Sequence, residues 1–232
     1  MRDEGGSMCK EKIVLLGGGG HCASVIDSIL EKDIYSEIVV LDNDNSLFLP
    51  GGIHVIGNDE ELPLLYQEGF HHAFITVGSI GDCSVRKKLF QKIEDIGFFI
   101  PNIIDKSATV SKWSNLGRGI YVGKMAVINS KVEIDNCAII NTGAILEHDC
   151  KIGEFVHVST GAKLCGGVEV GCETHVGAGT VIKEYTKVGA HCLIGAGSVV
   201  IKSVDNHFMQ YGCPAHKSSY KIQTKIEDRN EI

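Results

Sequence analysis

Residues 134–164 read IDNCAIINTGAILEHDCKIGEFVHVSTGAKL, and every sixth residue is aliphatic: Ile134, Ile140, Leu146, Ile152, Val158 and Leu164. Outward from this stretch the register holds from Ile104 to Val200, seventeen positions over 97 residues without a break. A period of six fits neither an α-helix nor a simple run of strand. It fits a chain that makes a short strand, turns a corner and repeats, and such a repeat decides the architecture. The fourth residue after each anchor is almost always small or β-branched, as at Ala138, Ala144, Cys150, Val156 and Ala162. The residue just after each anchor is rich in Gly, Asn and Asp (Gly117, Asn129, Asp135, Gly153, Gly171), which are expected to take the torsions of tight corners. The expectation is a triangular prism with aliphatics inside and three hexads to a turn. Successive turns stack at about 4.8 Å, and stability accumulates along the stack. The period does not fix the hand, and general crossover rules favour the right-handed one.

Net charge of −7 and the lack of a basic stripe argue against a nucleic-acid partner. No apolar run is long enough to span a membrane. The nine cysteines include no CxxC pair, so neither a zinc ribbon nor a redox motif is expected. Cys22, Cys137, Cys150 and Cys192 fall on periodic or helical segments and read as small buried fillers. A reducing, cytoplasmic setting is the expectation. Met1 to Ser7 carry no signal-peptide pattern, and residues 1–9 are set apart as a leader.

Residues 10–102 do not follow the six-residue period and read as a separate Rossmann-like α/β domain. Lys12 to Leu16, Glu37 to Leu41 and Ala73 to Val77 are short apolar runs. Helical patterns separate them, around Ala23 to Leu30 and Glu60 to Glu68, and a third follows at Cys83 to Ile96. In such sheets a ligand sits beyond the carboxyl ends of the strands. Those ends are Gly17–His21, Asp42-Asn43 and Gly78, and they are expected to share one crevice. Counted from Gly17, the run Gly17-Gly18-Gly19-Gly20-His21 fails the dinucleotide fingerprint at its sixth place, Cys22; counted from Gly18 the sixth place is Ala23, which the looser form accepts, but no other feature of an NAD site accompanies it. Its glycines still suit a phosphate at a helix N-terminus. A tight turn without a ligand is the plainer reading, and Asp42-Asn43 could equally be a solvated turn. The coil is assigned to residues 103–204 and a C-terminal tail to 205–232.

Most polar residues of the coil need no function beyond turning corners. The segment Glu147-His148-Asp149 is different, because it sets two carboxylates around one imidazole. A carboxylate partner fixes the tautomer and raises the basicity of a histidine. Gly166 follows His148 by eighteen residues, one turn of the prism, so backbone rather than a side chain is expected beside the ring. That leaves room for a substrate and an N–H for an oxyanion. His157 has His175 as its vertical neighbour by the same count, and His175 and His191 read as structural or surface histidines. A β-helical carbonic anhydrase would need three convergent histidines, two of them five apart. The gaps between His148, His157, His175 and His191 are 9, 18 and 16 residues, so no zinc site and no metal requirement is expected.

The hexapeptide coil resembles the left-handed parallel β-helix of the hexapeptide-repeat acyltransferases. The glycine loop, the strand ends, the segment Asn141 to Ser159 and the tail Tyr211-Gly212-Cys213-Pro214-Ala215 extend that resemblance from about Lys12 to Lys217. Together they resemble the sugar acetyltransferases of the PglD/NeuD type, in particular the nucleotide-sugar 4-amino N-acetyltransferases. The resemblance implies an acetyl-CoA-dependent enzyme and a homotrimer with its active sites between subunits. It also implies a nucleotide-sugar acceptor, with UDP favoured. By residue it implies His148 as the catalytic base, Asp149 as its acidic partner and Glu147 as the less favoured one. His157 and Gly166, with Ala178 and Ala196, fall along the acetyl-CoA groove; Gly19, Gly20, His21, Asp42, Asn43 and Gly78 fall at the nucleotide-sugar. Gly19 stands where bacillosamine-directed members carry a serine, which puts their UDP-sugar in doubt. The same motif could serve an O-acetyltransferase acting on sialic acid or another glycan hydroxyl, and a non-catalytic nucleotide-sugar-binding trimer is the rival from another class.

Overall fold

The computed structural model describes residues 10–221. The leader assigned to 1–9 and the last residues of the tail lie outside the described residues. Two compact units divide the chain: residues 10–78 with 84–106, and residues 79–83 with 107–221.

The first unit is a four-stranded parallel sheet with strands β1 (Glu11–Leu16), β2 (Tyr35–Leu41), β3 (Val55–Gly57) and β4 (His72–Ile75) in the order β3-β2-β1-β4. Helices α1 (Gly20–Lys32), α2 (Leu62–Gln67) and α3 (Ser84–Ile96) complete it. Alternation along β1 explains the layering. Val14 and Leu16 join a core with Leu62, Leu65, Ile93 and Phe98, while the intervening Ile13 and Leu15 are also fully buried. A central parallel strand covered on both faces reads as an unbroken apolar run, as this one does. Strand β3 has only three residues, too few to show a pattern in the sequence.

The second unit is an all-β, left-handed parallel β-helix. Two-residue strands recur every six residues from Thr109–Val110 to Val199–Val200. They stack into three faces. Face one runs from Asn115–Leu116 to Lys187–Val188, face two from Tyr121–Val122 to Leu193–Ile194, and face three from Thr109–Val110 to Val199–Val200. Partners are eighteen residues apart, for example Ile134 with Ile152, Ile140 with Val158, and Leu146 with Leu164. The anchors are buried at 0–3% exposure from Val122 to Val200, which is what stacking aliphatics inside the prism requires.

One local expectation is corrected. From the Leu116 anchor to the Ile194 anchor, the residue in the left-handed region at each corner is the third after the anchor, not the first. It is Met125, Lys131, Asp149, Glu173 or Tyr185 as readily as a glycine. Glycines just after an anchor are there for space. A Cβ on Gly153 would lie 2.7 Å from the Cys172 backbone nitrogen, and one on Gly177 would lie 2.5 Å from that of Ala196. Close approach by the next coil, and not positive φ, selects glycine at these sites.

Beyond the last coil, Phe208–Tyr211 pairs parallel with Leu193–Ile194 and antiparallel with His216–Lys221. The hairpin covers the edge of face two, which would otherwise expose unpaired backbone groups. Residues 79–83, counted above with the front domain, pack on the coil. His157 Nδ1 lies 3.0 Å from the Ser79 carbonyl, and the Cys83 thiol lies 3.1 Å from a Glu173 carboxylate oxygen. A six-residue period reports only the coil's own strands and cannot reveal a distant loop laid against them.

Candidate active site

His148 stands at the corner where the chain passes from face three to face one, between strands Ile145–Leu146 and Lys151–Ile152. Asp149 occupies the left-handed position of that corner, φ 59°. The turn folds its carboxylate back on its neighbour, and His148 Nδ1 lies 2.7 Å from Asp149 Oδ2. Since a carboxylate can only accept here, Nδ1 carries the proton, and in the neutral ring Nε2 keeps its lone pair. The hydrogen bond from His148, aided by Lys131 at 4.0 Å, holds the Asp149 carboxyl below its ordinary range. Glu147 is drawn elsewhere: Asn129 Nδ2 donates to its Oε2 at 2.9 Å.

Gly166 lies one coil on. A Cβ there would stand 2.6 Å from both Cε1 and Nε2 of His148, so any side chain would displace the ring. Among the described residues no acceptor takes the Gly166 N–H. The basic edge of the imidazole is thus flanked by bare backbone and opens to solvent, with about half of the His148 side chain exposed. Tyr185, 73% exposed, lies over Gly167 at the same corner; a Cβ on that glycine would meet its ring at 2.5 Å.

His157 is on face two, away from His148. Its Nδ1 donates to the Ser79 carbonyl at 3.0 Å, and Asn141 Nδ2 donates to its Nε2 at 3.3 Å. Both partners select the same neutral tautomer. His175 pairs with His157 in register, the two rings edge to face at 4.8 Å. It is buried, bonds Ser159 Oγ at 3.2 Å, and is held below the usual histidine pKa by burial. Ala178 and Ala196 lie one above the other at a third place, the corner from face two to face three, linked by the Gly197 N–H to the Ala178 carbonyl at 2.8 Å. Both are exposed. A single prism holds this corner and the His148 corner on different edges, so the chain alone does not bring Ala178 and Ala196 to His148.

In the front unit a cavity of about 270 Å³ opens at the carboxyl ends of the strands. Its lining includes Gly17, Asp42, Asn43, Asn58, Asp59 and Lys88. It lies where the strand order reverses about β1, the usual ligand position in an open parallel sheet. Asp42 Oδ2 accepts from the Gly18 N–H at 2.6 Å and Oδ1 from the Asp44 N–H at 3.0 Å, which braces the loop. Gly17 has φ 107°, and a Cβ there would meet Val77 at 2.6 Å. Gly19 caps α1 with no side-chain hydrogen bond, and a helix N-terminus favours an anion. A Cβ on Gly19 or Gly20 would meet nothing within 4 Å, so the missing serine is not excluded by space. Gly78 packs toward His21, whose Cβ would be 3.8 Å from a Cβ on the glycine. Gly19, Gly20, His21 and Gly78 do not line the cavity itself.

Several site residues are invisible to linear reading. Asn58 and Asp59 follow the three-residue β3, Lys88 lies on a helix that reads as ordinary amphipathic surface, and Asn141 reaches His157 across coils. In rows of eighteen Asn141 stands above Ser159 and not above His157, so the repeat does not expose this contact. Val85, on α3, is 55% exposed at the cavity.

Residues 12–93 match the family described as PglD N-terminal domain. Among solved structures, a variant of perosamine N-acetyltransferase from Caulobacter crescentus in complex with CoA and GDP-perosamine is 34% identical. The match covers 90% of this chain and 97% of that one, with a TM-score of 0.85. The acetyltransferase domain of PglB from Neisseria gonorrhoeae, in complex with acetyl coenzyme A, is 31% identical over 90% of this chain and all of its own, TM-score 0.84. WeeI from Acinetobacter baumannii shares the fold at 22% identity, 90% and 100% coverage and TM-score 0.81.

Proposed function

The chain belongs to the PglD-type sugar acetyltransferases, and from that membership we propose that it transfers acetyl from acetyl-CoA to the 4-amino group of a nucleotide-linked 4-amino-4,6-dideoxy sugar. The observation that carries this reading is the His148–Asp149 pair facing the bare backbone of Gly166. The front cavity takes the nucleotide. The diphosphate lies against the N-terminus of α1 near Gly19 and Gly20, and Asp42 and Asn43 face the ribose or base. His157, Ala178 and Ala196 serve acetyl-CoA. The resemblance implies a homotrimer with its sites between subunits, and in it one subunit's His148 corner meets another's CoA edge; Ala178 and Ala196 lying on a different edge of the prism from His148 supports this reading.

The amine nitrogen attacks the thioester carbonyl as His148 Nε2 removes its proton. The Nδ1–H stays on Asp149 Oδ2, whose charge stabilises the imidazolium. The oxyanion of the tetrahedral intermediate rests near the Gly166 N–H. Collapse breaks the C–S bond, and the departing CoA thiolate takes its proton from His148. No covalent acyl-enzyme is formed and no metal takes part in any step. Sequence resemblance favours UDP as the nucleotide, while the similar Caulobacter enzyme is seen with GDP-perosamine.

The test is release of free CoA from acetyl-CoA with UDP-, GDP- and dTDP-linked 4-amino-4,6-dideoxy sugars as acceptors, run beside hydroxyl-bearing sugars. Turnover on one amino-sugar class is expected and identifies the nucleotide. Turnover on the hydroxyl acceptors alone would replace the proposal with O-acetyl transfer to a glycan.

A further inference from the structure

The corner from face one to face two carries a second set of chemical groups, which the acetyl-transfer reading does not use. Cys172 and Glu173 occupy this corner in one coil, and His191 occupies it in the next. The His191 N–H donates to the Cys172 carbonyl at 2.9 Å, so the two coils are locked in register. The Cys172 sulfur, a Glu173 carboxylate oxygen and a His191 ring nitrogen all lie within 4.8 Å of one another. The Cys83 thiol donates to Glu173 Oε2 at 3.1 Å from the 79–83 segment, which packs on this unit. His191 is stacked flat on His207, ring centroids 4.7 Å apart and planes at 5°, which limits the freedom of the ring.

The separations are informative. His191 Nδ1 and Glu173 Oε2 are 3.6 Å apart, too long for a hydrogen bond between them. Two such atoms bound to one tetrahedral zinc, at about 2.1 Å each, would lie about 3.4 Å apart. The imidazole and carboxylate are therefore already spaced as ligands of a common ion. Only 29% of the His191 side chain and 21% of the Glu173 side chain is exposed, so the two are partly withdrawn from water. A thiolate and an imidazole select zinc over magnesium or calcium, which prefer oxygen ligands.

We propose that Cys172, Glu173 and His191 form a binding site for a thiophilic divalent cation, zinc above all, that pins two successive coils at this corner. Binding replaces the thiol S–H of Cys172 by an S–metal bond and releases that proton to solvent. Three protein ligands leave one position for water or for the neighbouring Cys83 sulfur. The site is on a different edge of the prism from His148, and its occupancy serves the scaffold.

The experiment uses the full chain without an affinity tag, reduced and stripped with a chelator, then titrated with Co²⁺ and Zn²⁺. The expected result is one Co²⁺ per chain with a thiolate-to-cobalt charge-transfer band. Zn²⁺ should displace it, with proton release and a rise in thermal midpoint. Cys172→Ser should abolish the band, and His191→Gln, which keeps a polar side chain at the corner, should weaken binding by about tenfold or more. No saturable binding, or a band and affinity unchanged in both variants, would overturn the proposal. None of these readouts depends on acetyl transfer, so failure here leaves the proposed reaction untouched, and failure of the acceptor panel leaves this site untouched.

Discussion

His148 is bonded to Asp149 at 2.7 Å while Glu147 is held by Asn129 at 2.9 Å, and the backbone of the corner causes this division. In an extended strand, adjacent side chains point to opposite faces. The left-handed torsion at Asp149 breaks that alternation and returns its carboxylate to the preceding ring. The three residues are legible in the sequence as a triplet, but which acid serves the base is decided by the turn. His148→Ala is expected to lower kcat by about 10² to 10⁴, with the circular-dichroism spectrum unchanged because the side chain is half exposed. Asp149→Asn should lower kcat with little change in the KM for acetyl-CoA. Glu147→Gln, which can still accept from Asn129, should leave kcat near its original value. Steady-state kinetics on the three variants would separate the roles, and an equal loss from the Glu147 and Asp149 changes would contradict the assignment. Burial also sorts the thiols: it pushes those of Cys22 and Cys150 up to about 11, which keeps these fillers protonated and unreactive at neutral pH.

At the scale of the element, the six-residue repeat is strong enough in the sequence to specify strand positions, stacking partners and the inward face. It misplaces the turn because glycine answers two different demands in this coil. Gly177 and Gly171 are needed for space, each with a backbone nitrogen of the next coil 2.5 Å from where a Cβ would be. Gly161 and Gly143 adopt φ 68° and 65° with open space around them, a conformation that Lys131 and Asp149 adopt as well. Gly177→Ala is therefore expected to destabilise the coil by about 1–3 kcal/mol through forced backbone movement. Gly161→Ala costs about 1–2 kcal/mol from the left-handed torsion alone, and Gly161→Asn less than that. Denaturant midpoints of these variants would order them, and a Gly177→Ala variant as stable as the parent would show that the coils can slide apart at this corner.

For the whole molecule, the placement of His148 on one edge of the prism and of Ala178 and Ala196 on another makes assembly part of the proposed chemistry. A His148→Ala chain and an Ala196→Trp chain should each be inactive, the second because the indole fills the CoA edge. Mixed by co-expression, they should regain a fraction of the activity, since some trimers pair an intact His148 with an intact CoA edge. No recovery in hybrids proven to form by mass would place the complete site within one subunit. Under this proposal the site they share needs a second copy, and no pattern within one chain encodes that contact except by resemblance.

What the sequence determined by itself is whatever repeats or alternates. Seventeen aliphatic anchors at a spacing of six are redundant, so the prism survives any single ambiguous residue. The strand–helix alternation of the front unit is local in the same way. The count of eighteen already set the backbone of Gly166 beside His148, and the structure bears it out. Only the tertiary structure decided the contacts that fall off that count: Asn141 and Ser79 on His157, and the Cys172 sulfur near the His191 ring. These pairs are separated by 16 to 78 residues, and none falls on the repeat of eighteen. Nothing along the chain repeats such a contact, so no periodicity can announce it.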